Sequence, residues 1–171
     1  MTSAKAIAVA FGFLLASATP GWRRAPAAVS PPVPSLVESS HVVFHGGDEA
    51  GSGIARDALE RVFATPTGAL AVQQLVSGAI AGPLTIELNG RGANFTPYRI
   101  PGRELAETIY FDPSSHPLVE TALGPEPAYA ETVLAHELGH AVFKLTSEQE
   151  VIDAVENPVR DELGLPRRSR F

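Results

Sequence analysis

Val133-Leu134-Ala135-His136-Glu137-Leu138-Gly139-His140-Ala141-Val142-Phe143 is the stretch on which the reading of this chain turns. Val133, Leu134, Leu138, Ala141, Val142 and, just beyond, Leu145 supply the apolar surface of a helix that would be buried against a sheet. His136 and His140 stand four residues apart, so on a helix their imidazoles share a face and can converge on one ion. Glu137 follows the first histidine directly. That places it near such an ion but turned away from ligating it, which suits a general base acting on water whose pKa zinc lowers to about 7. Chance yields His-Glu-x-x-His roughly 0.01 times in a chain of this composition, so the pattern is informative. The expected cofactor is one zinc ion per chain on His136 and His140, and the expected catalytic base is Glu137.

A zinc site that does chemistry takes three protein ligands and leaves a fourth position for water. No histidine follows His140, so the third ligand is a downstream carboxylate or an upstream histidine. The downstream candidates are Glu148, Glu150, Asp153, Glu156, Asp161 and Glu162. Spacing modestly favours Glu156, far enough along for a second helix to turn and come back antiparallel, with Glu150 and Asp153 as its rivals. Among the upstream histidines, His41 and His45 fall on a short expected strand, where they would stand about 13 Å apart. His116 lies in a loop. An ordinary surface or core role is the simpler account of all three. Tyr98, Tyr110 and Tyr129 are the hydroxyl donors available to a developing oxyanion. Arg160 suits a structural pairing with a carboxylate.

Working outward, the segment after Pro127 is expected to be helical from about Ala128 to Lys144, with a last helix from Ser147 to Val155 or beyond that ends by Gly164. Leu84-Thr85-Ile86-Glu87-Leu88 alternates as a half-buried strand does, and Asn89-Gly90 ends it. Strands are also expected at His41–His45 and Glu107–Phe111. A helix carrying Ile54, Ala58, Leu59 and Val62 is expected from Gly53 to Ala64, and a second opens at Pro66. The stretch between Asp112-Pro113 and Pro127 reads as a Pro-rich loop. Short strands with helices between them, then two helices, make an α+β domain.

The 171 residues suffice for one domain with a real core. A net charge of −6 offers no electrostatic footprint for nucleic acid. The absence of cysteine excludes disulfides, thiolate zinc sites and thiol nucleophiles. Lys5, the apolar run Ala6–Ala16 and Ala16-Ser17-Ala18 have the form of a secretory signal peptide, too short for a stable membrane span. The expected organisation is therefore a signal peptide at 1–18, a Pro/Ala-rich linker at 19–35 and a metallopeptidase domain at 36–171. It implies a secreted or periplasmic bacterial protein.

Glu156-Asn157-Pro158-Val159-Arg160-Asp161-Glu162-Leu163-Gly164-Leu165-Pro166-Arg167, taken with His136-Glu137-Leu138-Gly139-His140, resembles the Glu-Asn-x-x-Arg … Leu-Gly-x-Pro-x-Arg tail of bacterial effector-type zinc metallopeptidases. That family includes type III secreted effectors and toxin domains that cleave host proteins. Ile109-Tyr110-Phe111-Asp112-Pro113 is similar to the strand and Asp-Pro turn that precede its metal helix. The resemblance spans roughly 42–171, with Phe171 where the family has a terminal tyrosine. It implies a minimal zincin-like fold, a small mixed sheet packed on the metal helix and a following C-terminal helix, and it raises Glu156 as third ligand. The metzincin extension is excluded, because Phe143 and Thr146 stand where it needs glycine and histidine. The resulting expectation is a zinc-dependent endopeptidase acting on a protein or peptide. The alternatives are a non-peptidase zinc hydrolase or amidase, and a non-enzymatic metal-binding module.

Overall fold

Leu84, Ile86 and Leu88 are buried while Thr85 and Glu87 between them are only half-buried, and the strand they form is the middle of a three-stranded sheet. The computed structural model describes residues 35–78, 80, 82–97 and 107–169. In it β1 (Val42–Gly46), β2 (Leu84–Leu88) and β3 (Thr108–Phe111) run parallel in that order, with Val42 opposite Leu84 and Thr85 opposite Thr108. Parallel neighbours need a crossover, which helices α2 (Glu49–Phe63) and α3 (Pro66–Val76) supply between β1 and β2. One face of the sheet carries Leu84, Ile86, Leu88, Ile109 and Phe111 into the core. On the other face Val43 is exposed, so the strands alternate instead of running continuously apolar as in a sheet covered on both sides.

The core closes with helix α4 (Ala130–Ala141), which packs on α2 and β3. Leu134 and Leu138, its inward leucines, are fully buried, each contributing about 1.5–3 kcal/mol of apolar burial. A final helical run follows as α5 (Glu148–Val151), a π-helical turn (Ile152–Glu156) and α6 (Asn157–Glu162). It lies against α4, and Val151, Val155 and Val159 are buried. Among the described residues no helix is long and apolar enough to cross a membrane.

The α+β expectation agrees with this architecture. Several boundaries move, each for a local reason. Helix α2 starts four residues before Gly53, because the Asp48 carboxylate caps it by accepting Gly51 N–H at 2.7 Å. A short helix α1 (Leu36–Ser39) precedes β1, opened by a reciprocal capping pair between Ser35 and Glu38. The Pro-rich stretch holds an antiparallel hairpin, β4 (Leu118–Thr121) and β5 (Gly124–Pro127), separate from the main sheet. Pro127 thus ends a strand, and α4 opens three residues later. Helix α4 stops at Ala141 rather than Lys144, whose backbone is left-handed (φ 60°). The expected leader and the linker up to residue 34 lie outside the described residues, as do Tyr98 and Phe171.

Candidate metal centre

Gly139 sets the distance between the two C-terminal helical layers. A Cβ built there would stand 2.6 Å from Val151 Cγ1, so only glycine lets the last helical run approach α4 this closely. The connection between them is a tight turn. Leu145 N–H donates to Gly139 O at 3.1 Å and Phe143 N–H to Leu138 O at 3.3 Å. This pattern needs the left-handed residue Lys144 supplies. Ser147 then caps α5, its hydroxyl facing Glu150 N–H at 3.4 Å, and Glu148 becomes the first residue of that helix.

The turn thereby delivers Glu148 to the histidine face of α4. One Glu148 oxygen lies 2.8 Å from His136 Nε2 and the other 3.5 Å from His140 Nε2. The ligand atoms of His136, His140 and Glu148 all lie within 4.8 Å of one another, and the three could hold a metal ion. Tetrahedral bonds of about 2.0–2.1 Å put ligand atoms about 3.3 Å apart, and each histidine Nε2 lies within a few tenths of an ångström of that spacing from one of the two Glu148 oxygens, a different oxygen for each ring. The rings meet edge to face, centroids 5.1 Å apart.

The far side of each ring is also held. His136 Nδ1 stands 3.0 Å from Glu156 Oε2, and His140 Nδ1 stands 2.7 Å from Leu145 O. A carboxylate and a carbonyl only accept, so both Nδ1 atoms donate, and with a metal bound the two Nε2 atoms would offer it their lone pairs on the Glu148 side. This is the outer arrangement that metal-ligating histidines adopt.

Glu156 therefore stands elsewhere than its expected place as third ligand. It is 2% exposed and accepts from Arg160 Nε at 2.9 Å and Arg168 Nη1 at 3.0 Å, as well as from His136. The π turn explains how two carboxylates of one helical run reach opposite nitrogens of one imidazole. In a regular helix residues eight apart are rotated by about 80°. One inserted residue, seen here as the Asn157 N–H to Ile152 O bond, gives them the phase of residues seven apart, within about 20°.

Charges follow this geometry. Desolvation would lower the pKa of His136, but Glu156 by hydrogen bond and charge, with Glu137 and Glu148, outweighs it and raises it. Glu156 is desolvated too, yet the bond from His136 and the charges of Arg168 and Arg160 hold it below the usual carboxylate range. Burial pushes Glu137 up, against the hydrogen bond from Thr96 and the nearby histidines.

Glu137 lines a cleft of about 430 Å³ together with His136, His140 and Glu148. Phe95, Leu118, Val119 and Val133 form apolar walls of the same cleft. Thr96, which nothing in the sequence singled out, also lines it and donates to Glu137 Oε2 at 2.8 Å.

The remaining candidates sit apart from this group. Glu150 and Asp153 are exposed, Asp153 accepting from Gln149. Glu162 caps α3 through Thr67, and Asp161 faces Arg167. His41 and His45 are exposed at the far edge of the sheet, and His116 contacts Ala128 O. Tyr110 stacks on Phe95, and Tyr129 stands at the N-cap of α4, where its backbone carbonyl and not its side chain accepts from Thr132 and Val133. Arg160 is fully buried and ties Glu156 to Pro166 O and Thr132 Oγ1.

A comparison with protein-family models finds no match, and comparisons with curated proteins and with solved structures find none either.

Proposed function

We propose that this chain is a zinc-dependent endopeptidase in which His136, His140 and Glu148 hold the metal and Glu137 is the general base. The observation that carries this reading is the convergence of two Nε2 atoms on the Glu148 carboxylate, with both Nδ1 atoms committed to acceptors behind them. Two imidazoles and one carboxylate are a zinc donor set, and three protein ligands leave a position open. Zinc bound there would acidify a water molecule and polarise the scissile carbonyl.

The chain's own groups supply the rest. Glu137 sits beside the ligands with one oxygen taken by Thr96, so its other oxygen can accept a proton from the attacking water and return it to the leaving amine. Desolvation strengthens it as a base. Glu156, neutralised by Arg160 and Arg168, fixes the tautomer of His136. The apolar walls of the cleft suit side chains flanking a peptide bond, and the acidic chain favours a protein or peptide over a nucleic acid. We read the tail beginning at Glu156-Asn157 as that of the bacterial effector-type peptidases, with its glutamate holding a ligand from behind.

The test is digestion of a proteome-derived peptide library by zinc-loaded protein, beside Glu137→Gln loaded in the same way. New termini with the wild type alone support the reading. Zinc uptake with no cleavage of any peptide overturns it in favour of another hydrolase or a binding module.

A further inference from the structure

Glu137 is 5% exposed, and the partner of its carboxylate is a side chain from a different part of the chain. Thr96 lies on the segment that leaves β2 and folds back along β3. Phe95 and Tyr110 exchange both backbone bonds, at 3.0 and 2.9 Å, and their rings stack with centroids 4.6 Å apart. Asp112 fastens the same segment further back. Its carboxylate accepts Gly92 N–H at 2.6 Å, while its own N–H donates to Asn94 Oδ1 at 2.7 Å. Thr96 is thus delivered to the cleft by a segment fixed at three successive points, and its hydroxyl meets Glu137 Oε2 at 2.8 Å.

We infer that Thr96 is the positioning residue for the catalytic base: its hydroxyl fixes the rotation of the Glu137 carboxylate and leaves one defined oxygen to receive the proton. The inference rests on the peptidase reading for its consequence but not for its contact. A base must be held to within about half an ångström of its productive geometry, and a carboxylate tethered only through its own chain retains rotation about its last bond. A hydroxyl donates one hydrogen. The shorter bond, to Oε2, takes it, and the 3.3 Å approach to Glu137 O is secondary. A purely structural tether would also hold the segment to α4, but the choice of carboxylate oxygen would then be irrelevant to turnover.

Two measurements decide between these. In the metal-free protein, a double-mutant cycle of Thr96→Val and Glu137→Ala read by thermal unfolding should be non-additive: the fall in Tm caused by Thr96→Val disappears when Glu137 is absent. In the zinc-loaded protein, on a peptide that the wild type cleaves, Thr96→Val should lower kcat about tenfold to a hundredfold with KM changed less than about threefold. Thr96→Ser, which keeps the hydroxyl, should stay within about threefold of wild type in both. Zinc content should be the same in all three. An additive cycle, or a Thr96→Val enzyme that turns over like wild type, overturns the inference. So does a Thr96→Ser enzyme as slow as Thr96→Val. If the wild type cleaves no peptide, the peptidase reading fails by itself, and the cycle alone decides whether Thr96 holds Glu137.

Discussion

Substituting Glu148 by Ala and Glu156 by Gln should separate metal binding from folding. Glu156 is buried against two guanidiniums and an imidazole, all with donors within 3.0 Å. Arg160 among these is itself fully buried. Removing the central charge strands the cations, which costs about 3–5 kcal/mol for a buried pair losing one partner. For a domain of this size that lowers Tm by about 10–20 °C. Zinc affinity should fall by about 10–100-fold, the usual consequence of losing the acceptor behind a ligating histidine. Glu148 is the opposite case. Its side chain is 32% exposed, so its contacts with the histidines in the metal-free protein contribute about 1 kcal/mol or less. Glu148→Ala should leave the metal-free Tm within about 5 °C of wild type while removing a direct ligand, and zinc affinity should drop by more than about a hundredfold. Thermal unfolding of chelator-stripped protein and competition against a chromophoric zinc chelator supply the two readouts. A Glu148→Ala protein that binds zinc like wild type, beside a Glu156→Gln protein that is as stable as wild type yet binds none, would refute the assignment and restore Glu156 as ligand.

Glu137→Gln should keep its zinc and lose activity by about 10²–10⁴-fold, measured as kcat on any peptide the wild type cleaves; a rate within tenfold of wild type points to another base. Gly139→Ala drives a Cβ into Val151 and should destabilise the fold by about 1–3 kcal/mol, with weakened zinc binding because Glu148 is displaced along with the helix. Chemical denaturation with and without zinc checks both effects, and an unchanged midpoint would mean the helices part without cost. Asp112 is held below its ordinary pKa by Ser114 hydroxyl and by Gly92 and Ser114 N–H groups. A depressed carboxylate contributes stability above its unfolded pKa and loses it as pH falls through the folded one. The stability gap between wild type and Asp112→Asn should therefore be full at pH 7 and narrow as pH falls below about 4. A gap that is the same at both pH values contradicts this.

His136, Glu137 and His140 were legible because a helix converts a spacing of four directly into a shared face. Strand β2 was legible because Leu84, Ile86 and Leu88 alternate without interruption. The third side of the site was harder, although its signal is present. Ser147 is a helix cap only a few residues after α4, so the first turn of the next helix, with Glu148, must lie beside His140. Counting residues to an antiparallel return favoured Glu156 instead, and that count assumes an unbroken helix. The π turn alters the phase and sends Glu156 behind His136. The hairpin was illegible for a different reason. Gly124, Pro125 and Pro127 are poor strand residues, and what makes them a strand is pairing with β4 and the anchoring of the tail at Ser169 N–H to Glu120 O, 2.8 Å. Thr96 carries no local signal at all, since its role arises only when Phe95 pairs with Tyr110.

The most direct test of the central claim is the metal content of the chain. Protein purified without added metal, then analysed for elements before and after titration with zinc, should carry about one zinc ion per chain, and His136→Ala should carry almost none. Uptake of less than about a tenth of an equivalent by the wild type, or equal uptake by His136→Ala, contradicts the assignment of His136, His140 and Glu148 as a zinc site.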